Sequence, residues 1–181
     1  MGAPYGFSRS RRGAIRLHLD EIERALLISL AHQMMEFVAP APADPDADPL
    51  AALVGIDEVA QVPDDPALAR LLPDAFLDDA EAAGEFRRFT ERSLRETKVA
   101  HATLVAAALE SGETAVPDDA AAAWLGFLND ARLALGTRLD ISEDNQAELA
   151  GLPEDDPRAG MFHVYDWLTY LQDSLVNLLM P

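Results

Sequence analysis

The chain has 181 residues, enough for one domain with a substantial core and short for two. Its 32 acids against 14 bases give a formal net charge of −18, which repels phosphate backbones and favours a basic partner surface, or serves solubility alone. The absence of cysteine excludes disulfides, thiolate zinc sites and thiol nucleophiles.

Residues 1–13 read as a flexible, basic N-terminus carrying Arg9, Arg11 and Arg12. From residue 14 to 181 the pattern is that of a single helical domain. Ala14 to Leu19 alternates as a short strand does. Asp20 and Glu23 then form a capping-box signature, which predicts a helix over 21–38 with Ile22, Leu26, Leu30 and Met34 as its apolar stripe and Leu27 and Phe37 beside them. The sequence APAPADPDADP at 39–49 predicts an acidic, proline-rich loop, because repeated proline stops the helix. One helical turn fits 49–54 and a short helix fits 66–72. A long helical stretch, with a break near 85–89, spans 78–110, and Gly112 stands just past its end. Glu113 to Val116 suits a second strand paired with the first. A helix over 118–139 turns Trp124, Leu125, Leu128 and Leu135 inward, a polar connection with one helical turn follows, and Asp156-Pro157 opens a last helix over 157–179. Its stripe is Met161, Val164 or Tyr165, Leu168, Leu171, Leu175 and Leu178. The predicted fold is mainly α, a compact four- to five-helix domain with at most a small two-stranded sheet.

Signatures of known chemistry are missing. There is no phosphate-cradling GxxxxGK[ST] or GxGxxG, no GxSxG and no HExxH, and His18, His32, His101 and His163 each stand alone. Asp44, Asp46 and Asp48 resemble the start of a calcium loop but lack its glycine and terminal glutamate, so they read as solvated surface. No catalytic residue, metal site or cofactor is expected. No apolar run reaches the length of a membrane span, and no apolar segment follows the N-terminal arginines, which predicts a cytoplasmic protein.

Two groups of polar residues are informative. Arg132 falls on the leucine stripe of 118–139, with Asn129 one turn away. A guanidinium there must snorkel or meet an acid, and Asp166 on the last helix is the first candidate, then Asp130 or Asp173. Asn129, Arg132 and Asp166 therefore form either a structural network or a polar pocket. The second group is Arg87, Arg88, Arg92, Arg95 and Lys98, the main basic run of an acidic chain. It suits a partner contact or internal pairing with the acidic 40–85 region.

Beyond these local features, RSRRGAIRLHLDEIERALLISLAHQ, DPLAALVGID, EFRRFTERSLRETKVAHATLVAAAL, AWLGFLNDARLALGTRLDI and VYDWLTYLQDSLV cover most of the chain. They resemble blocks of an actinobacterial family catalogued as a domain of unknown function, which includes AosR-type oxidative-stress transcriptional regulators. The block from Trp124 to Leu139 is the most specific. The resemblance implies a cytoplasmic regulator acting on transcription through a protein partner such as a sigma factor. If relatives sense oxidant with a thiol switch, a chain without cysteine cannot do so in that way. Three readings follow: a non-enzymatic regulator that binds a protein, an uncharacterised enzyme or small-ligand binder with a pocket around Arg132 and Asp166, and a direct nucleic-acid binder through the arginine-rich helix and the N-terminal arm.

Overall fold

The computed structural model describes residues 5–40 and 61–180. The architecture is mainly α with a small three-stranded antiparallel sheet. Its elements are β1 (Gly6–Arg9), β2 (Ile15–His18), α1 (Glu21–Val38), α2 (Pro66–Leu71), α3 (Ala80–Glu110), β3 (Ala115–Val116), a 3-10 turn (Asp118–Ala120), α4 (Ala121–Arg138), α5 (Gln146–Ala150) and α6 (Pro157–Leu179). The predicted helical turn at 49–54 and most of the predicted loop at 39–49 lie outside the described residues.

The helix starts follow from side-chain caps. Asp20 accepts from the Glu23 amide and Glu23 accepts from the Asp20 amide, completing the capping box of α1. Asp65, Asp79 and Asp156 cap α2, α3 and α6, with proline in the first turn of α2 and α6. α3 runs unbroken through 85–89, where a break was expected. Gly112, at φ +77°, turns the chain out of α3 in a backbone conformation that glycine adopts without strain.

The sheet corrects the reading of the N-terminus. Residues 6–9, expected within a flexible arm, form β1, so the sheet has three strands in the order β1-β2-β3 rather than two. The cause is Phe7. Its ring is buried and meets Trp124 edge-on, with 5.6 Å between centroids, while its amide donates to Ser174 Oγ at 3.1 Å. Gly6 permits this approach: it sits at φ +69°, and a Cβ there would come within 2.9 Å of the Tyr170 ring. Arg9 closes the strand by donating to the Leu178 carbonyl at 2.7 Å, near the end of α6, where the helix dipole favours a cation.

The core centres on α3, α4 and α6, with α1 packed on α3 and α2 on α4. Trp124, Leu128, Leu168, Leu171 and Leu175 are buried as the periodicity predicts. α1 is rotated from its predicted orientation. Its buried residues are Leu27, Ala31, Met34 and Val38, while Ile22 is 80% exposed and Leu26 and Leu30 are half-buried. Leu135 is half-buried too, and Met161 is exposed.

Phe7→Ala should therefore lower stability by about 3–5 kcal/mol in chemical denaturation, the usual cost of truncating a buried aromatic. A loss under about 1 kcal/mol would place β1 at the periphery of the fold.

Candidate functional site

α3 carries the basic run, and its inward face uses most of it. Arg87 is 6% exposed and donates to the Leu72 carbonyl at 3.0 Å, to Asp74 at 2.7 Å and to Glu91 at 2.5 Å. Burial pulls this guanidinium's pKa down, but the hydrogen bonds to Asp74 and Glu91 outweigh it, and the net shift is upward. Glu91 also binds Arg95, through Nε at 2.8 Å and Nη2 at 2.7 Å. Arg95 in turn reaches the Val38 and Ala39 carbonyls, both at 3.3 Å, at the end of α1. Arg88 and Arg92 are half-buried and make interactions of their own.

Lys98 forms an ion pair with Asp130 of α4 at 2.7 Å, with side chains 14% and 5% exposed. Burial raises the Asp130 pKa, and the Lys98 hydrogen bond and charge, with a smaller effect of His101, pull it part of the way back. α3 and α4 approach closely here, because a Cβ on Gly126 would collide with the His101 ring.

Among the described residues no hydrogen bond or ion pair joins Asn129, Arg132 and Asp166 into the structural network or polar pocket that the sequence suggested. Asp166 is exposed, Asn129 and Arg132 are half-buried, and among the described residues no carboxylate lies within salt-bridge distance of Arg132. Arg132 Nε is buried without a hydrogen-bond partner. Helical geometry gives the reason. At 100° per residue, Asp130 and Arg132 flank the buried stripe of α4 on opposite sides. Asp130 lies one turn from Gly126 and faces α3. Arg132 lies one turn from Gly136, which packs on Tyr165 of α6.

Two surface features were not anticipated. The outward side of α3 and the loop before it expose Phe76 (47%), Leu77 (90%), Phe86 (48%) and Phe89 (52%). Phe76 and Phe86 meet edge-on at 6.0 Å, and Phe86 edges a cleft of about 220 Å³ whose lining includes Arg87 and Leu94. Asp78, Glu81 and Glu85 are exposed beside them, with Glu85 one turn before Phe89. The second feature is an apolar groove of about 590 Å³ between α1, α4 and α6, lined by Leu30, Met34, Phe37, Leu135 and Met161 among others. The periodicity marks exposed apolar residues only as core candidates, so neither surface was separable from the core in the sequence. Among the described residues no cluster of three metal-ligating side chains occurs, and no helix is long and apolar enough to cross a membrane.

The Lys98–Asp130 pair gives a direct test. Asp130→Ala should cost about 3–5 kcal/mol by leaving Lys98 buried and unpaired, whereas Lys98→Met with Asp130→Leu should fall within about 1 kcal/mol of the parent or above it. Equal losses in the two variants would show that the lysine is solvated. Because the folded-state pKa of Asp130 is raised, its contribution to stability is full below the unfolded value and falls as pH rises through the folded one. The stability of the parent relative to Asp130→Asn should accordingly decline as pH rises above about 4.

Comparison with known proteins places the chain. The oxidative stress regulators AosR of Mycobacterium bovis and Mycobacterium tuberculosis are each 36% identical to it, over 91% of this chain and 82% of theirs. A relative from Mycobacterium leprae is 33% identical, over 87% of this chain and 79% of its own. No solved structure matches. Residues 3–179 match the family described as a domain of unknown function, DUF2017, and the chain belongs to that family.

Proposed function

We propose that this protein is a non-enzymatic regulator in the oxidative-stress response that acts through a protein partner, docked on the aromatic outer side of α3. The observation that carries the docking site is the exposure of Phe76, Leu77, Phe86 and Phe89 together, next to Asp78, Glu81 and Glu85. Large aromatic side chains left in water mark interaction surfaces, and aromatic anchors dominate binding energy at interface centres. The acids beside them specify a partner segment with apolar side chains inside a basic rim, and the net charge of −18 adds long-range attraction for it. The regulatory role is supported by the name of the mycobacterial relatives.

This reading keeps α3 as the partner helix but changes its chemistry. Arg87, Arg95 and Lys98 form ion pairs within the fold and Arg88 and Arg92 are half-buried with interactions of their own, so the contact is assigned to the exposed aromatic rings and carboxylates. The partner is a component of the transcription apparatus, such as a sigma factor, and DNA is contacted only through it.

Phe86→Ser with Phe89→Ser should leave stability within about 1 kcal/mol of the parent, since both rings are half-exposed. Capture of a transcription component from the native host should be lost with this variant, with affinity falling about 100-fold or more. Binding by the parent chain should weaken as salt rises. Capture unaffected by the double substitution, or salt-dependent binding of DNA by the purified chain, would contradict the proposal.

A further inference from the structure

The groove between α1, α4 and α6 holds three residues whose periodicity assigned them to the core: Leu30, Leu135 and Met161. They come from three different helices, and the groove leaves all three open to solvent to some degree, Met161 most at 37%. Met34, 6% exposed, also lines it, and at its edge Arg138 lies over the Phe37 ring at 5.3 Å and pairs with Asp65 at 3.3 Å. Two of the chain's five methionines therefore share one apolar groove.

Without cysteine, thioethers are the only side-chain sulfurs this chain can present to an oxidant. Their susceptibility follows exposure. Met34 is buried, and Met35 is half-buried and accepts a hydrogen bond from Thr103 at 3.0 Å. Met180 is 63% exposed but follows α6 at its end and does not line the groove.

We propose that Met161 is an oxidation site through which a two-electron oxidant, a hypohalous acid or a peroxide, alters this groove. With hypochlorous acid the sulfur takes the oxygen atom and is oxidised to the sulfoxide, chlorine is reduced and leaves as chloride, and a proton is released. The product replaces an apolar wall by a strongly polar S=O group. An apolar occupant of the groove would then have to desolvate that group without hydrogen-bonding it, and binding weakens. The biological meaning rests on the oxidative-stress reading above, but the site lies on a different surface from the aromatic patch.

The purified full chain carrying Phe76→Ser, Leu77→Ser, Phe86→Ser and Phe89→Ser, which removes every exposed apolar side chain of the aromatic patch, is treated with limiting hypochlorous acid. Peptide mass mapping follows the sulfoxides, and binding of anilinonaphthalene sulfonate reads the groove. Met161 should gain oxygen well before Met34 and Met35, and dye affinity should fall about tenfold. Methionine sulfoxide reductase should restore it. Met161→Leu should keep its dye affinity through the same treatment, while Met180→Leu should respond as the parent does. Oxidation of Met34 or Met35 as fast as Met161, dye binding that survives Met161 oxidation, or absence of dye binding before treatment would overturn the proposal. Partner capture that still depends on Phe86 and Phe89 while the dye result fails would sink the oxidation site alone.

Discussion

The arrangement depends on a column of charges along one side of α3, with Arg87 buried and Glu91, Arg95 and Lys98 largely withdrawn from solvent. Arg87, Glu91 and Arg95 follow one another at four-residue spacing, and Lys98 continues the same face. Each makes a contact outside its own helix except Glu91, which bridges the two arginines. Arg87 holds the loop after α2, Arg95 binds the terminal carbonyls of α1, and Lys98 holds α4. Such pairs add little net stability over apolar residues, because desolvation offsets most of the attraction. Their effect is on register, since sliding α3 by one turn would strand several buried charges at once. The Gly126–His101 contact acts in the same sense by fixing how closely α3 and α4 approach.

With Arg87, Arg95 and Lys98 paired within the fold, the exposed side chains of α3 include the rings of Phe86 and Phe89 and the carboxylates of Glu81 and Glu85. This explains how the main basic run of the sequence can belong to a helix whose free surface is apolar and acidic. It also separates two regions with distinct chemistry. The α3 patch presents apolar side chains, three of them aromatic, on an outward face, while the groove at α1, α4 and α6 is a concave wall of aliphatic and thioether side chains with the Phe37 ring at its edge.

Much of the fold was legible, and the reasons are local. Asp20 with Glu23, Asp156 before Pro157, and Gly112 each act within one turn of the helix end they define, so sequence spacing reports them directly. β1 was missed because its signal is one aromatic, Phe7, whose burial depends on Trp124 and Ser174, more than a hundred residues away. The pairing at the polar site was not legible. A charge beside the leucine stripe of α4 does meet a partner, but it is Asp130 rather than Arg132, and the partner is Lys98, the sole lysine in the chain. Residues two apart on a helix are rotated to opposite sides of a stripe, and choosing between them requires knowing which neighbour packs where. The rotation of α1 that buries Leu27 in place of Ile22 has the same origin, since several apolar stripes were available on that helix and only tertiary packing selects one.

The charged column of α3 is a structural element withdrawn from solvent rather than a solvated partner face. A double-mutant cycle between Arg87→Met and Glu91→Gln, measured by chemical denaturation at low and high salt, tests it most directly. The expected coupling is above about 1.5 kcal/mol and nearly unchanged by salt, because both side chains are withdrawn from solvent. A coupling below about 0.5 kcal/mol that disappears in salt, as for an exposed helix pair, would contradict it.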